Sequence, residues 1–585
     1  MATGPDELLR LARNEFAAGR LARSRELCEE FLGSAPDHPE GLHLRALLAL
    51  SNGNAAAALS PIQRALRRDA FDPKKHQTHG IVLRALARRG EAGAAFREAL
   101  RLSPQFAEAH ASLALSQMDE GDFTSAARGL DTALRLRPDV YAWCMNLGLC
   151  RSSLGDAAAA VEAFQRAARL DARMPEAHNN LGTALLACGR VGEAEASFRH
   201  CIALAPGHSH AWTNLGNALR RSQRAREAEA AYRRATQCLP PLAIAWVNLG
   251  NALKDADRID EAMECFAQAT ELAPDSPEAH LSRAIARLLV GDLARGWEEY
   301  RWRLGPPDDS AMRTRFEDAI RTRRPIEILG EQGLGDSLFF LRWVPALRAA
   351  GARLAFRGDA RLFPLLGHGG WFDEFASEDG AGSDAVGLPA GDLPWLARAI
   401  AVAYPPPLPL KASGKALEAA RSLLVAAGPP PYVGVAWRAG LPSADGTEHL
   451  HKMAPLESLG AAFQRFTGTL VSLQRGAEAD ELATLSGSTP APVLDAGPVN
   501  SDLDAMLGLL ASLDDYVGVS STNVHLRAGL GLPARILVPL PPEWRYGRAG
   551  ATSPWFPGFR LYRENRESGW QDAMGALASD LGRAP

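Results

Sequence analysis

The sequence predicts an all-α helical solenoid followed by an α/β region in two lobes. Three observations support this fold class. The tripeptide Asn-Leu-Gly recurs every 34 residues in the first half, short apolar runs alternate with helical patterns after about Ala311, and proline-rich passages divide the second half. Because 585 residues are too many for one hydrophobic core, we place the solenoid at 5–310, a short first lobe at 324–405, a linker with a helix at 406–431 and a second lobe at 432–585.

The composition excludes some classes of binding partner and indicates the cellular compartment of the protein. Lys and Arg total 64 against 68 Asp and Glu, for a formal charge of -4, which offers no basic field for nucleic acid and no polybasic membrane signal. The seven cysteines form no C-x-x-C pair, as expected for free thiols in a reducing compartment. The chain shows neither a signal-peptide pattern nor a long uncharged stretch, so we expect a soluble, cytoplasmic protein.

The first half repeats one helical hairpin. Each period pairs a small residue with a bulky one four positions later, as in Ala194 and Phe198, and this contrast lets two antiparallel helices pack closely. Glycines such as Gly189 mark the turn inside the hairpin, and prolines such as Pro206 end its second helix. About nine such units fit between residues 5 and 310. The Asn-Leu-Gly tripeptides begin at Asn146, Asn180, Asn214 and Asn248.

This pattern resembles the tetratricopeptide repeat. The resemblance implies a superhelix whose concave face binds a protein partner. An Asn side chain offers a donor and an acceptor, so the four recurring Asn residues could hold the backbone of a protein acceptor, as in the O-linked N-acetylglucosamine transferases that this stretch also resembles. Alternatively, these amides only solvate the groove or bridge neighbouring repeats.

Two further features of the repeats have structural explanations. Four histidines, of which His178 is one, share a repeat position with Trp212 and Trp246, and this alternation favours packing over metal binding. The last unit ends in the aromatic sequence Gly296 to Arg303, where a terminal repeat is normally polar. We therefore expect the following domain to cover that surface.

The second half predicts a parallel sheet with helices. Ligands of such sheets bind beyond the carboxyl ends of the strands, where helix N-termini present free amides. The predicted strands are Pro325 to Leu329, Tyr432 to Trp437, Thr469 to Leu473, Tyr516 to Val519 and Ala534 to Pro539.

Polar clusters follow three of these strands. The first runs from Gly330 to Ser337 and contains Asp336, for which a helix N-cap is a sufficient structural role. The second contains Arg438 and Lys452, which suit a diphosphate or else form solvated surface pairs. The third runs from Ser520 to His525, where hydroxyls and free amides suit either phosphate binding or ordinary capping.

Taken in order, these clusters resemble the heptosyltransferase-like glycosyltransferases of GT-B fold, in the bacterial subgroup that carries tetratricopeptide repeats. The stretches that carry the resemblance are Glu331 to Leu341, Val471 to Gly476, Asp514 to Leu532, and Ser553 to Pro557.

The resemblance implies a role for each matched residue. Asp336 matches the general base, Lys452 a phosphate-binding Lys and His525 a His beside the donor. It places Glu331 and Gln332 with the acceptor, and the nucleotide-sugar donor with Arg438, Lys452, Gln474, Ser520, Ser521, Thr522, Asn523 and His525. One base without a covalent intermediate implies inversion.

The resemblance implies no metal and no cofactor besides the donor substrate. Asp502-Leu503-Asp504 is the nearest approach to a D-x-D metal motif, and its helical pattern indicates a solvated face. The chain departs from heptosyltransferases in having Ser520-Ser521 where they have Asp-Thr, which makes heptose transfer doubtful. Its first lobe is also short, so the repeats are expected to supply the acceptor site.

The sequence therefore predicts a protein O-glycosyltransferase that acts on Ser or Thr of an acceptor held by the repeats. Flagellin, alone or with its chaperone, is the first acceptor to test, because the chain resembles repeat-bearing flagellin-modifying transferases. Two alternatives stay open. One is an enzyme of lipopolysaccharide or capsule synthesis, and the other is a repeat scaffold whose transferase half is inactive.

Overall fold

The structure, a computed structural model, describes residues 5–331, 333–377, 385–439 and 452–582. The chain divides into two compact units, an N-terminal unit (Met1–Cys238) and a C-terminal unit (Leu239–Pro585). The predicted domain bounds remain predictions, and we describe each unit by itself.

Antiparallel helical hairpins fill the N-terminal unit and begin the C-terminal one. Helices α1 to α14 belong to the first unit, and α15 to α18 belong to the second. Their bounds are α1 Pro5–Ala17, α2 Leu21–Ser34, α3 Pro39–Ser51, α4 Ala55–Arg68, α5 Pro73–Ala85, α6 Arg89–Leu102, α7 Ala107–Asp119, α8 Phe123–Leu136, α9 Tyr141–Ser153, α10 Ala157–Leu170, α11 Pro175–Ala187, α12 Val191–Leu204, α13 Ser209–Arg221, α14 Ala225–Thr236, α15 Ala243–Asp255, α16 Ile259–Leu272, α17 Pro277–Leu289 and α18 Leu293–Tyr300.

The turn inside each hairpin places one residue in the left-handed region. Glycine occupies this position in most turns, because it adopts a positive φ without steric cost. Three other hairpins adopt the same conformation with Ala87, Gln223 and Asp257, at φ of 58°, 59° and 61°. The six glycines are Gly19, Gly53, Gly121, Gly155, Gly189 and Gly291.

The Gly of Asn-Leu-Gly is required by close packing inside the hairpin. A Cβ atom placed on Gly182 would lie 2.5 Å from Cε1 of Phe198, and Gly148 and Phe164 have the same relation at the same distance. The bulky residue of the second helix therefore packs directly on the backbone of the first. This contact explains why small and large residues keep a fixed spacing in the repeats.

Gly182→Ala is expected to destabilise the repeats by about 1–3 kcal/mol, because the added methyl group overpacks the Phe198 ring. Gly192→Ala is a matched control: Gly192 also lies in a helix, and a Cβ there would meet no atom within 4 Å. The control should be neutral or stabilising by up to about 1 kcal/mol, since Ala has the higher helix propensity. Urea unfolding followed by far-UV circular dichroism measures both changes, and equal effects would contradict the packing explanation.

The recurring histidines stabilise the connection between hairpins. Nε2 of His178 lies 3.2 Å from the carbonyl oxygen of Ala172, six residues earlier, and His110 contacts Pro104 in the same way at 2.9 Å. Trp212, at the equivalent position, donates its ring N–H to the Pro206 carbonyl at 2.9 Å. Since a carbonyl only accepts, both side chains serve here as ring N–H donors, which explains why His and Trp alternate.

The rest of the C-terminal unit alternates strands and helices. The strands are β1 Pro325–Leu329, β2 Arg353–Arg357, β3 Glu374–Ala376, β4 Val386–Pro389, β5 Tyr432–Ala436, β6 Thr469–Ser472, β7 Val493–Asp495, β8 Asp515–Gly518, β9 Ala534–Val538 and β10 Phe559–Arg563. The helices are α19 Asp309–Thr322, α20 Leu334–Phe340, α21 Val344–Ala349, α22 Phe363–His368, α23 Leu393–Leu396, α24 Gly414–Ala427, α25 Leu456–Ala462, α26 Ala479–Gly487, α27 Leu503–Ser512, α28 Thr522–Gly529 and α29 Gln571–Leu581.

These strands form two separate sheets. The first lobe has the order β3-β2-β1-β4 and the second has β10-β9-β8-β5-β6-β7, and the paired strands are parallel in both. The predicted fold class, a helical-repeat solenoid followed by a two-lobed α/β region, is confirmed. Five strands follow the predicted segments closely, and the other five, β2, β3, β4, β7 and β10, were not predicted.

The aromatic end of the last hairpin is covered within the C-terminal unit, as predicted. Trp297 is 5% exposed, and its ring lies 5.9 Å from that of Trp343 in the first lobe and 5.3 Å from that of Trp544 in the second. Arg303 forms ion pairs with Glu331 and with Asp392, the latter at 2.7 Å. The ninth hairpin, which consists of α17, α18 and the turn Arg301–Leu304 that follows them, is therefore packed into the core of the α/β region.

Candidate functional site

A cleft of about 590 Å³ opens at the carboxyl ends of strands from both sheets. In open parallel sheets this edge is the usual ligand-binding position. The cleft brings together predicted residues from both lobes, with Asp336 from the first lobe and the others from the second. Those from the second lobe are Arg438, Lys452, Gln474, Ser520, Ser521, Thr522, Asn523 and His525.

Asp336 lies in the first turn of α20 but does not cap it. The N-cap is Gly333, so the N-cap alternative for Asp336 is wrong. Its Oδ1 accepts a hydrogen bond from Nη2 of Arg545, a residue of the second lobe. Among the described residues, none donates a hydrogen bond to Oδ2. The carboxylate is thus held at one oxygen while the side chain lines the cleft.

Charged side chains of alternating sign extend from Asp336 across the cleft. Arg545 lies 3.3 Å from Glu543, whose other carboxylate oxygen lies 2.9 Å from Nζ of Lys452. Burial by itself would raise the pKa of Glu543, but the charges of Lys452 and Arg545 outweigh burial and lower it. Arg545 and Lys452 are two of the cations that line the cleft, and Lys452 is paired with a carboxylate that an anionic ligand could replace.

His525 lines the cleft with an uncharged imidazole ring. Its side chain is buried, and burial, reinforced by the charges of Arg545 and Arg342, lowers the pKa of His525 well below its usual range. A Cβ on Gly335 would lie 3.0 Å from Cδ2 of His525. The glycine therefore allows the backbone that carries Asp336 to approach the imidazole.

Arg438 and Gln474 shape the loop after β5. Oε1 of Gln474 accepts hydrogen bonds from the backbone N–H groups of Trp437 and Arg438, at 3.1 and 3.0 Å. The Arg438 guanidinium pairs with Glu481 at 2.8 Å, and this hydrogen bond lowers the pKa of Glu481 to about 2. Arg438 is only 8% exposed, so the alternative of a solvated surface pair is wrong for this residue.

The polar cluster after β8 forms the start of α28. Ser520 donates its hydroxyl to Glu543 at 3.2 Å, and Asn523 donates to Oδ1 of Asn500 at 3.4 Å. The N-cap, Ser521, forms no side-chain capping bond. The Val524 N–H donates to the Ser521 carbonyl at 3.1 Å, whereas the amides of Thr522 and Asn523 have no such bond among the described residues and are available to an anion.

Glu543 and Arg545 were not predicted from the sequence. They follow β9, one of the predicted strands, in the segment Pro541 to Tyr546, and polar residues beyond a strand end were the signal used for the other clusters. The same rule applied to this strand would have found them.

The predicted acceptor residues of the first lobe have other contacts or lie outside the described residues. Oε2 of Glu331 accepts from Nε of Arg303 at 2.9 Å, and its Oε1 accepts from the Gly391 backbone N–H at 2.5 Å. Gln332 lies outside the described residues. Acceptor contact by these two residues stays a prediction.

Asp502 of the D-x-D sequence is exposed, as expected for a solvated face, and both carboxylates also have structural partners. Oδ1 of Asp502 caps α27 by accepting from the N–H groups of Asp504 and Ala505, at 3.0 and 3.1 Å. Asp504 accepts from the Ser413 hydroxyl at 2.6 Å. Both carboxylates are therefore used in holding helix starts.

Comparison with known proteins identifies the repeats. A tetratricopeptide-repeat family model matches residues 9–73, 78–139, 111–175, 151–209 and 179–243, and a second tetratricopeptide-repeat model matches 243–276. The first half of the chain carries tetratricopeptide repeats.

One curated relative and several solved structures are similar to this chain. Protein FlbA of Caulobacter vibrioides is 25% identical over 342 residues, which cover 53% of this chain and 56% of that protein. The chain thus matches little more than half the length of this relative. YrrB, a tetratricopeptide-repeat protein with an unusual peptide-binding site, is 22% identical over 32% of this chain and 95% of its own, at a TM-score of 0.30. The Cut9–Hcn1 hetero-tetramer of the APC/C is 20% identical over 48% of this chain and 55% of its own, at a TM-score of 0.35.

The Asn residues of the tetratricopeptide repeats are half-buried, and at least one bridges neighbouring repeats. Nδ2 of Asn214 donates to Oδ1 of Asn179 in the preceding repeat, at 3.1 Å, and Nδ2 of Asn179 lies 3.3 Å from Oδ1 of Asn180. These contacts fit the bridging alternative and leave Oδ1 of Asn214 as the group that could contact an acceptor. Acceptor binding by Asn146, Asn180, Asn214 and Asn248 stays a prediction.

The described helices include none that is both long enough and apolar enough to cross a bilayer.

Proposed function

We propose that the chain is a glycosyltransferase that transfers a sugar from a nucleotide-sugar donor to a Ser or Thr hydroxyl of a protein held by the tetratricopeptide repeats. The observation that carries this proposal is the position of Asp336. A carboxylate from one lobe faces, in the same cleft, the cations and helix start of the other lobe. Such a site combines a proton acceptor with groups that suit a diphosphate.

The reaction would be a single displacement. Oδ2 of Asp336 accepts the proton of the acceptor hydroxyl while the hydroxyl oxygen attacks the anomeric carbon. The bond from that carbon to the phosphate oxygen breaks, and the nucleoside diphosphate leaves with the electron pair. Lys452 and the amides at the start of α28 stabilise the negative charge of the leaving group. One displacement inverts the configuration at the anomeric carbon.

The repeats support a protein as the acceptor. Tetratricopeptide repeats are extended surfaces suited to protein partners. Their ninth hairpin packs into the core that carries Asp336, so in this proposal the last repeat is part of the unit that carries the cleft. Flagellin remains the acceptor to test first, on the resemblance given above.

Donor binding tests the proposed site. We expect one member of a panel of UDP-, GDP-, dTDP- and ADP-linked sugars to bind the full chain in isothermal titration calorimetry. Lys452→Gln should weaken that binding by about 10- to 100-fold, because it removes one charge-assisted hydrogen bond to phosphate.

Lys415→Gln is the matched control, because Lys415 is exposed on α24 and does not line the cleft. It should leave the dissociation constant unchanged. A wild-type chain that binds no nucleotide sugar would overturn the transferase proposal and would favour the non-catalytic scaffold.

A further inference from the structure

We propose that Arg545 is the positioning residue of the cleft: it fixes the Asp336 carboxylate for proton abstraction, and the ninth hairpin fixes Arg545. This inference rests on the proposed function and adds to it a residue outside the predicted clusters. It also gives the repeats a second role beside acceptor binding.

Arg545 is held rigidly from several sides. It is 8% exposed, its guanidinium pairs with Asp336 and with Glu543, and its central carbon lies 4.7 Å from the ring centres of both Phe339 and Trp544. A planar guanidinium bound to two carboxylates and packed on two rings has little rotational freedom. The carboxylate it holds therefore also has one favoured orientation.

The contact crosses the cleft. Asp336 belongs to α20 of the first lobe, whereas Arg545 follows β9 of the second. The ion pair thus fixes the position of the general base, Asp336, relative to the second lobe, which would hold the donor. Because Arg545 takes Oδ1, the acceptor hydroxyl is directed to Oδ2.

The ninth hairpin supports both partners of this contact. Trp297 packs edge-to-face on Trp544, next to Arg545, and on Phe340 of α20, at centroid distances of 5.3 and 6.2 Å. Arg303, whose side chain is 3% exposed, pairs with Glu331, and the Glu331 carbonyl accepts from the hydroxyl of Ser337, the neighbour of Asp336, at 3.2 Å. Trp297 therefore connects the hairpin to the segments of both Asp336 and Arg545, and Arg303 connects it to the segment of Asp336.

Steady-state kinetics of the full chain with its nucleotide-sugar donor and protein acceptor separate positioning from binding. Arg545→Ala should lower kcat by about 10²-fold, as expected when a reacting group is misplaced by about 1 Å. KM for the donor should change by less than about threefold. Arg545→Lys should restore part of kcat, and low concentrations of guanidinium chloride should restore part of the activity of Arg545→Ala.

Arg548→Gln is the matched control, since Arg548 follows in the same loop but pairs with Asp257 at 2.8 Å on an exposed surface. It should keep the wild-type kcat. If Arg545→Ala raised KM for the donor with kcat unchanged, Arg545 would be a donor contact and the positioning proposal would be overturned. Should Arg545→Ala fail to fold, the kcat of Arg545→Lys decides in its place, and an unchanged value would overturn the proposal.

A crystal structure of Arg545→Lys distinguishes this inference from the proposed function. We expect the Asp336 side chain to adopt a different or a second conformation. An Asp336 that keeps its position in the variant would overturn the positioning role, even if the chain proves to be a transferase. A wild-type chain without transferase activity would overturn the proposed function whatever the variant structure shows.

Discussion

Asp336→Asn is expected to lower the rate of sugar transfer by about 10²- to 10⁴-fold, the range that a general base contributes. The substitution is nearly isosteric, and the Asn Oδ1 can still accept the hydrogen bond from Arg545. The cleft should therefore keep its shape while losing the group that takes the acceptor proton. Transfer followed by intact mass spectrometry measures the rate, and calorimetry with the nucleotide sugar should give an unchanged dissociation constant.

Asp318→Asn controls for the loss of a paired carboxylate. Asp318 lies on α19, pairs with Arg321 at 2.5 Å and is 41% exposed in its side chain. This variant should transfer sugar at the wild-type rate. If Asp336→Asn also kept the wild-type rate, the assignment of the base would be wrong.

Trp297→Ala is expected to destabilise the C-terminal unit by about 3–5 kcal/mol, the usual cost of removing a buried aromatic side chain. The indole contacts five aromatic rings, those of Tyr300, Phe340, Trp343, Trp544 and Trp555, at centroid distances of 5.3 to 6.2 Å. Its removal leaves a cavity where the hairpin and both lobes meet. The segments that carry Asp336 and Arg545 should become less stable together.

Hydrogen exchange followed by mass spectrometry locates this effect. Amides of 334–343 and 544–546 should exchange faster in Trp297→Ala. Trp212→Ala removes a half-buried indole from the N-terminal unit and should leave exchange in both segments unchanged. Unchanged exchange in Trp297→Ala would contradict the structural role of the ninth hairpin.

The repeats could be predicted in detail because their determinants are local. The left-handed turn, the Gly beneath an aromatic ring and the ring N–H bonded to a carbonyl six residues earlier each recur at one position of a 34-residue period. Because the same residue types recur in each repeat, a sequence pattern that is weak in one repeat becomes clear over several. The structure then showed why the Gly and the His or Trp are needed.

The α/β region was only partly predictable from the sequence. The apolar strands β1, β5, β6, β8 and β9 stood out. In contrast, β2 has an arginine at each end, β10 has two arginines among its five residues, and β3 and β7 are three residues long. Short strands with charged residues lack the apolar run that marks a buried strand. Their pairing with stronger neighbours places them in the sheets.

Site residues could be predicted only where the members of a cluster lie close together along the chain. Asp336, Lys452 and the start of α28 could be proposed from strand ends, but the partner that holds Asp336 lies 209 residues away. No spacing rule connects two such positions. Likewise, Arg438 could be assigned to the cleft but not to its pairing with Glu481, which depends on how α26 packs.

The proposed function is tested most directly by asking whether the chain adds sugar to a protein. Full-length Asp336→Asn would be used to capture acceptors from cells, with flagellin tested first. Each captured protein would then be incubated with the nucleotide sugar that binds the cleft and with wild-type or Asp336→Asn chain. Intact mass spectrometry should show an increase by whole sugar residues with the wild-type chain and almost none with the variant. Acceptor masses that stay unchanged with the wild-type chain, and that are the same in cells with and without it, would contradict the proposed glycosyltransferase function.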